Sequence, residues 1–463
     1  MFAKVLVANR GEIAVRVIRA CRELGVRTVA VYSTADASSR AVQLADEAVH
    51  IGPAPAKQSY LHIPNVIGAA VKTGVDAIHP GYGFLSEDPY FAAICAEHGI
   101  TFIGPPPEVM EALGDKATVR GLMGAAGLPL LPGTTTAPAS LDEAVAAADE
   151  VGFPLLLKAS AGGGGRGIAI VRSRGDLPAA FRAVRAQARS LFNDPSVYLE
   201  RFLEPARHIE VQVMCDDHGG VTHLGERDCS VQRRNQKLLE ESPSPAVDAG
   251  LRAELGAAAV RGARAVGYRG AGTMEFLLDT ENRFWFMKMN CRIQVEHPVT
   301  EMVTAIDLVA EQLRVAAGEP LSFTQDDIGI RGHAVECRIN AEDPERGFAP
   351  TPGVLTAFDA PGGPWVRFDS HCVAGSVVPP HYDSLIAKVI VWAPDRDAAL
   401  NRMHRALGEL RVEGAGLHTT TAFQRELVVH PAFRRGGVTT DFLQTDWREG
   451  ATGAAPDTAQ LTV

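Results

Sequence analysis

The sequence predicts a multidomain protein of α/β and α+β class, opening on a parallel sheet and continuing through β-rich units. Three observations predict it. A chain of 463 residues is too long for one ordinary core, and roughly two to four structural units are expected at that length. Short apolar runs alternate with helical periodicity through the N-terminal quarter, the pattern of strands joined by crossover helices. Further on, stretches such as His208–Val213 alternate with period two, as half-buried strands do.

Taken in order, Val5–Ala8 is an apolar run that ends at Asn9-Arg10-Gly11. Ile13, Val17, Ala20 and Leu24 then recur at helical spacing, and Gly25 closes the helix. Val29–Tyr32, Ala77–His79 and Thr101–Ile103 read as further strands of one open parallel sheet. Such sheets place ligands at strand carboxyl ends, where His79-Pro-Gly-Tyr-Gly-Phe-Leu-Ser-Glu87 follows. Gly81 and Gly83 flank Tyr82 and permit close backbone approach, although a plain turn fits the same residues. Phe153–Lys158 and Ile168–Val171 are strands separated by a glycine run, Ala159-Ser-Ala-Gly-Gly-Gly-Gly-Arg-Gly167. Strand, glycines and strand make a hairpin flap, not the strand-to-helix turn of a Rossmann or Walker site. Amides of Gly162, Gly163, Gly164 and Gly165 can approach phosphate oxygens, with Lys158 adding positive charge. A flexible linker is the alternative, but linkers seldom join two β runs.

Val197–Leu203 is another apolar run carrying polar groups, and His208, Glu210 and Gln212 share one face of the next strand. Gly225–Lys237 is dense in charged and amide side chains, which suits a bound anion or a solvated loop. In Gly270–Leu278 the one carboxylate, Glu275, points away from the Met274 and Phe276 face. The stretch Phe284-Trp-Phe-Met-Lys-Met-Asn-Cys-Arg-Ile-Gln-Val-Glu-His-Pro298 is the most informative in the chain. As a strand it sends Lys288, Asn290, Arg292, Gln294 and Glu296 to one face, which suits a ligand or a solvated edge. Pro298 is expected to limit helical continuation. Glu275 with Asn290 is a plausible divalent-metal pair for nucleotide phosphates.

Composition excludes several classes. Hydrophobic residues at 46% and charged residues at 22% describe a soluble globular protein. A net charge of −10 argues against a nucleic-acid surface. The seven cysteines are odd in number and none forms a Cys-x-x-Cys pair, so neither a disulfide framework nor a zinc site is indicated. The N-terminal apolar run is too short for a signal peptide or membrane span. A cytoplasmic protein without a membrane partner is expected.

Together these segments resemble the biotin carboxylase family of the ATP-grasp superfamily, from Val5-Leu-Val-Ala-Asn-Arg-Gly-Glu-Ile-Ala14 to about Leu443. The resemblance is carried by His79–Glu87, Gly162-Gly-Gly-Gly-Arg-Gly167, Glu226-Arg-Asp-Cys-Ser-Val-Gln-Arg-Arg234, Arg292-Ile-Gln-Val-Glu-His-Pro-Val-Thr-Glu301 and His333-Ala-Val-Glu-Cys-Arg-Ile-Asn-Ala-Glu342. It implies an N-terminal α/β domain over 1–114 and an ATP-grasp domain over 115–330, with a mobile glycine-rich lid at about 132–203. A β-rich C-terminal domain over 331–447 and a disordered tail over 448–463 would complete the chain.

The implied activity is ATP-dependent carboxylation of biotin by bicarbonate, the first half-reaction of an acetyl- or other acyl-CoA carboxylase. By matching position, Lys116, Lys158, Gly162 to Gly165, Glu200, Arg201, Leu203, His208, Gln232, Asn235 and Glu275 would bind ATP. Lys237, Arg292, Gln294, Val295 and Glu296 would bind bicarbonate, with Glu296 as base. Arg338 and Tyr82 would meet biotin. Magnesium or manganese would sit on Glu275 and Asn290. The implied partners are a biotin carboxyl carrier protein, a carboxyltransferase subunit and a second copy of the chain.

One residue departs from the family pattern. Where the resemblance implies a metal-binding glutamate before Met-Asn, this chain has Lys288-Met289-Asn290. An ammonium donates hydrogen bonds and cannot coordinate a cation. The expectation is a charge reversal, engineered or natural, that keeps nucleotide binding and slows turnover. A catalytically silent subunit, or another ATP-grasp ligase, is the alternative. Asn235 stands where many relatives carry His, and its amide can still hydrogen-bond. Met287-Lys-Met289 also mimics a biotinylation motif, but it follows a buried-looking strand instead of a hairpin tip, so biotin is expected on a partner.

Overall fold

A computed structural model describes residues 1–160 and 167–447, apart from the side chains of residues 116, 117 and 192. The expected glycine ligands Gly162 to Gly165, the Lys116 side chain and the 448–463 tail lie outside the described residues.

The chain opens on a five-stranded parallel sheet of β1 (Lys4–Val7), β2 (Arg27–Ser33), β3 (Glu47–Gly52), β4 (Ala77–His79) and β5 (Thr101–Phe102). Their order is β3-β2-β1-β4-β5, so the winding reverses between β1 and β4. That reversal opens a crevice at the carboxyl ends of the two strands. β3 escaped the sequence reading because its residues alternate with exposed ones at a sheet edge. Asn9, directly after β1, donates its side-chain amide to the carbonyls of Pro80 (2.7 Å) and Tyr82 (2.8 Å). Gly81 has φ +63°, and a Cβ there would lie 2.9 Å from the Asn9 amide. Glycine is therefore required for this loop to close on Asn9.

Residues 132–203 carry a small antiparallel sheet of β6 (Leu155–Ala159), β7 (Ile168–Val171) and β8 (Val197–Arg201), ordered β7-β6-β8. Helices Leu141–Val151 and Leu177–Phe192 cover it. Leu155, Leu157, Val171, Phe181, Val184 and Leu199 form a hydrophobic cluster of its own. The pairing of Lys158 with Ile168 gives the strand–glycine–strand hairpin expected from sequence.

An eight-stranded antiparallel sheet forms the largest layer. It contains β9 (Arg207–Cys215), β10 (Val221–Arg233), β11 (Gln236–Ser242), β12 (Gly270–Leu278), β13 (Phe284–Asn290) and β14 (His333–Asn340). Strands Leu385–Ala393 and Val366–Ser370 extend it beyond β14, while β13 is the opposite edge. The sheet thus runs unbroken from β11 to β14, across the domain boundary expected near residue 330. Its N-terminal half shares one core with the parallel sheet, uniting Leu6 and Ile78 with Val211 and Phe276. The C-terminal half packs Val335, Ile339 and Val389 under helix Arg396–Glu409 through Leu400 and Met403.

Three sequence expectations need correction. Gly225–Lys237 is no solvated loop, because most of it is buried strand in β10 and β11. Pro298 does not limit a helix. It stands in the first turn of helix His297–Thr304, where its missing N–H costs no hydrogen bond. The informative strand is also shorter than expected and irregular. β13 ends at Asn290, and Met287 is bulged, since Glu275 pairs with Lys288 while Phe276 pairs with Phe286. The extra residue reverses the alternation. Phe286 therefore enters the core, whereas Lys288 and Asn290 turn to the side of Glu275.

Candidate active site

Glu296 is the centre of the site. Lys237 Nζ lies 2.5 Å from its Oε1, and Arg338 Nη2 donates to its Oε2 at 2.9 Å. Three elements converge to make this arrangement. β10 and β11 join through Arg234 and Asn235, which have φ +50° and +67°. Two positive φ values in a two-residue loop mark a type I′ hairpin, and it sets Lys237 opposite Gln232. β14 supplies Arg338, and the chain after β13 presents Glu296 directly before helix His297–Thr304.

Charges around Glu296 are paired in series. Lys237 also reaches Glu210 Oε2 at 2.5 Å and Glu275 Oε1 at 3.6 Å. Arg338 Nε donates to Glu240 Oε1 at 2.6 Å. Arg227 is completely buried and donates to Glu210 (2.6 Å), Gln212 (2.8 Å), Thr300 (2.9 Å) and Thr273 (3.2 Å). Burial opposes the Lys237 ammonium, but Glu210, Glu275 and Glu296 outweigh it and hold its pKa well above the ordinary lysine value. Burial likewise opposes the Glu296 carboxylate, yet Lys237 and Arg338 keep its pKa below the usual value. Glu296 is therefore ionised at neutral pH and able to accept a proton. Burial pushes the Glu240 carboxyl up to about 7, even against Arg338.

A second group lies beside the first. His208, Glu210 and Glu275 bring their ligand atoms within 4.8 Å of one another, all of them buried. His208 Nε2 and Glu275 Oε2 lie 3.0 Å apart as an ion pair. Burial opposes the Glu275 carboxylate, but Lys237, Lys288 and His208 hold its pKa well below the ordinary value. The two ionised carboxylates fit a divalent ion, and His208, whose pKa is raised against burial by Glu275 and Glu210, would join them on losing its proton. Asn290 fits less well, since its amide nitrogen donates to Glu275 Oε1. Lys288 does not fit at all: its ammonium lies 3.5 Å from the same oxygen. Its side chain is 52% exposed on the edge strand β13, after strand residues that are buried or half-buried. The Met287 bulge turns it away from the core side of Phe286.

Family models match three consecutive parts of the chain. "Biotin carboxylase, N-terminal domain" matches residues 1–110, "Carbamoyl-phosphate synthase L chain, ATP binding domain" 115–324, and "Biotin carboxylase C-terminal domain" 336–445. A biotin carboxylase of Nostoc sp. is 54% identical over 443 residues, 96% of this chain and 99% of that one. The chain belongs to the biotin carboxylase family. Among solved structures, a biotin carboxylase–βγ-ATP complex from Campylobacter jejuni superposes with a TM-score of 0.93 at 44% identity, over 96% of this chain and 99% of that one. The biotin carboxylase domain dimer of Hydrogenobacter thermophilus 2-oxoglutarate carboxylase, complexed with MgADP, ADP and bicarbonate, gives 0.92 at 47%, over 96% and 97%. The middle domain is accordingly an ATP-grasp domain, and this biotin carboxylase homologue is a ligase.

The remaining expected residues fall in three places. Lys158 and Glu200 form an ion pair on the small sheet of residues 132–203, and Arg120 reaches Glu200 at 3.3 Å. Arg201 and Leu203 follow Glu200, with the Arg201 amide bonded to the carbonyl of Pro132. Gln232 lies in the main sheet, donating to His208 Nδ1 at 2.9 Å, while Asn235 is an exposed hairpin residue. Arg292 holds Glu87 at 3.0 Å and Gln294 at 2.6 Å. Tyr82 donates to Glu12, which Lys388 approaches at 3.0 Å. Lys388 also donates to the Val295 carbonyl at 2.7 Å.

Sequence reasoning did not assign Glu12, Arg227, Glu240 or Lys388. Lys388 left a signal, as the one charge in the apolar run Leu385–Ala393. A lone cation there must find a buried partner. The pairing of Arg227 with Glu210 left none, because only the β9–β10 register makes them neighbours.

Proposed function

We propose that the chain carboxylates biotin presented on a separate carrier protein, using ATP and bicarbonate. The observation that carries the reading is Glu296 shared between Lys237 and Arg338. Bicarbonate is held by Lys237, Arg292, Gln294 and the Val295 amide, and Glu296 accepts its proton. The anion attacks the γ-phosphate of ATP and displaces ADP, giving carboxyphosphate, which breaks down to carbon dioxide and phosphate. That phosphate takes the proton from the biotin ureido nitrogen, which then bonds to the carbon dioxide. Arg338 then balances the enolate oxygen, and Tyr82 borders the same pocket. Lys116, Lys158, Gly162 to Gly165, Glu200, Arg201, Leu203, His208, Gln232, Asn235 and Glu275 bind ATP under the lid of residues 132–203, which excludes water from carboxyphosphate. Magnesium would be held by Glu275 and Asn290, where it would neutralise phosphate charge.

In this reading the domains span 1–114, 115–330 and 331–447. The partners are a biotin carboxyl carrier protein, a carboxyltransferase subunit and a second copy of the chain. The protein works in the cytoplasm, which suits seven buried, unpaired cysteines. No helix among the described residues is long and apolar enough to cross a membrane.

Lys288 beside Glu275 lowers the rate of this reaction by repelling the divalent ion. A silent subunit, retained for assembly, is the second reading that this residue favours. Phosphate release from ATP, dependent on both bicarbonate and free biotin, separates the two. Release in the native chain that rises in Lys288→Glu supports the slowed enzyme. Complete absence of release in both proteins would overturn the activity.

A further inference from the structure

We propose that Lys288 is a tethered cation of the nucleotide site, binding the phosphates of an adenine nucleotide directly and lowering the need for a divalent ion. The inference rests on the nucleotide reading above and concerns how that site obtains its positive charge. Three features of the surroundings support it.

The first is crowding at Glu275 Oε1. That oxygen accepts from Asn290 Nδ2 and from Gln294 Nε2 at 3.3 Å, with Lys237 and Lys288 ammoniums at 3.6 and 3.5 Å. A divalent ion reaching it must displace donors already in place, and it must approach two positive charges. The second is the contrast between those two ammoniums. Lys237 is 12% exposed and fixed by Glu210 and Glu296. Lys288 is half exposed and makes one loose ion pair among the described residues. A weak pair of that kind costs little to break. The long lysine stem can then carry a compact point charge to a phosphate.

The third is how the fold delivers it. The Met287 bulge turns Lys288 from the core side to the Glu275 side of β13, beside His208 and Glu275. Without the bulge, Lys288 would share the core-facing side of Phe286, against Phe276. The edge position of β13 leaves the ammonium open to solvent and to a ligand.

Calorimetric titration of the full chain with ADP, in EDTA and then with added magnesium, tests this on the native protein, Lys288→Met, Lys288→Arg and Lys288→Glu. The native chain should bind ADP in EDTA within about threefold of its affinity in magnesium, and the EDTA binding should weaken with salt. Lys288→Met should lose roughly tenfold or more in EDTA, as expected for a charge-assisted contact, while Lys288→Arg keeps most of it. Lys288→Glu should bind ADP well only with magnesium. Native binding that requires magnesium, or Lys288→Met binding ADP in EDTA as tightly as the native chain, overturns the proposal and leaves the nucleotide site standing. No ADP binding under either condition overturns both. Lys288 is exposed on an edge strand, so matched melting curves should show the variants folded, and the native titration is decisive without them.

Discussion

Two ion pairs of like chemistry stand on very different supports. Lys158–Glu200 sits on a three-stranded sheet whose core is separate from the rest of the molecule. Lys237–Glu296 sits on an eight-stranded sheet, where Glu296 is shared with Arg338 and Lys237 with Glu210. The second pair is shared with two further buried charges, whereas the first is joined to the rest of the molecule by one longer contact, Arg120 to Glu200 at 3.3 Å. Under the proposed function, a site that fixes an anion and also admits a nucleotide would gain from having one support of each kind. The positions in the large sheet are held by neighbouring buried charges, and those on the small sheet rest on a core of their own.

Substitutions can break this contrast, beginning with the largest expected effect. Glu296→Gln removes the proposed proton acceptor but keeps its shape, and bicarbonate-dependent phosphate release from ATP should fall by about 10²–10⁴-fold. Nucleotide binding, followed by calorimetry, should survive. Arg227→Met leaves Glu210 with one cation fewer in a fully buried setting. The loss should be about 3–5 kcal/mol of global stability in denaturant unfolding. Leu157→Ala opens a cavity in the lid core alone, costing about 2–4 kcal/mol there. Limited proteolysis should then cut within 132–203, while melting of the large sheet stays unchanged. Equal loss in both regions would mean that the two cores are one cooperative unit.

The smallest effect is a pH dependence confined to the large sheet. Glu240 has its carboxyl raised to about 7 by burial, against an ordinary value near 4.5. The folded state therefore binds more protons than the unfolded state between those values, and stability falls as pH rises through that window. The fall attributable to this group is up to about 3 kcal/mol. Glu240→Gln should flatten that slope in melting curves between pH 5 and about 8. A slope unchanged in the variant would assign the loss to other carboxyls.

Much of the architecture was legible from local pattern. The strand–glycine–strand flap, the alternation of β1 with its helix and the polar face of His208, Glu210 and Gln212 all follow from periodicity within a few residues. In the stretch from Phe284 to Pro298, Lys288 and Asn290 share one face as the alternation requires, but the strand ends at Asn290. A bulged residue at Met287 puts Phe286 on the opposite side from Lys288, and nothing in the composition of Met287 announces it. Gly225–Lys237 was ambiguous because charge density alone does not distinguish water from buried counterions. Arg227 meets Glu210, Gln212, Thr273 and Thr300 only after three strands and a helix have assembled.

By itself the sequence determined the family, the parallel sheet at the start and the types of residue available for anion and nucleotide chemistry. Those depend on motif order and short-range periodicity, which survive without coordinates. Only the tertiary structure decided that Lys288 is exposed, that Glu296 is shared by two cations, and that Glu12, Glu240 and Lys388 stand behind the site. Those facts depend on register between strands far apart in the chain, and a buried charge reveals its role only through the partner that neutralises it.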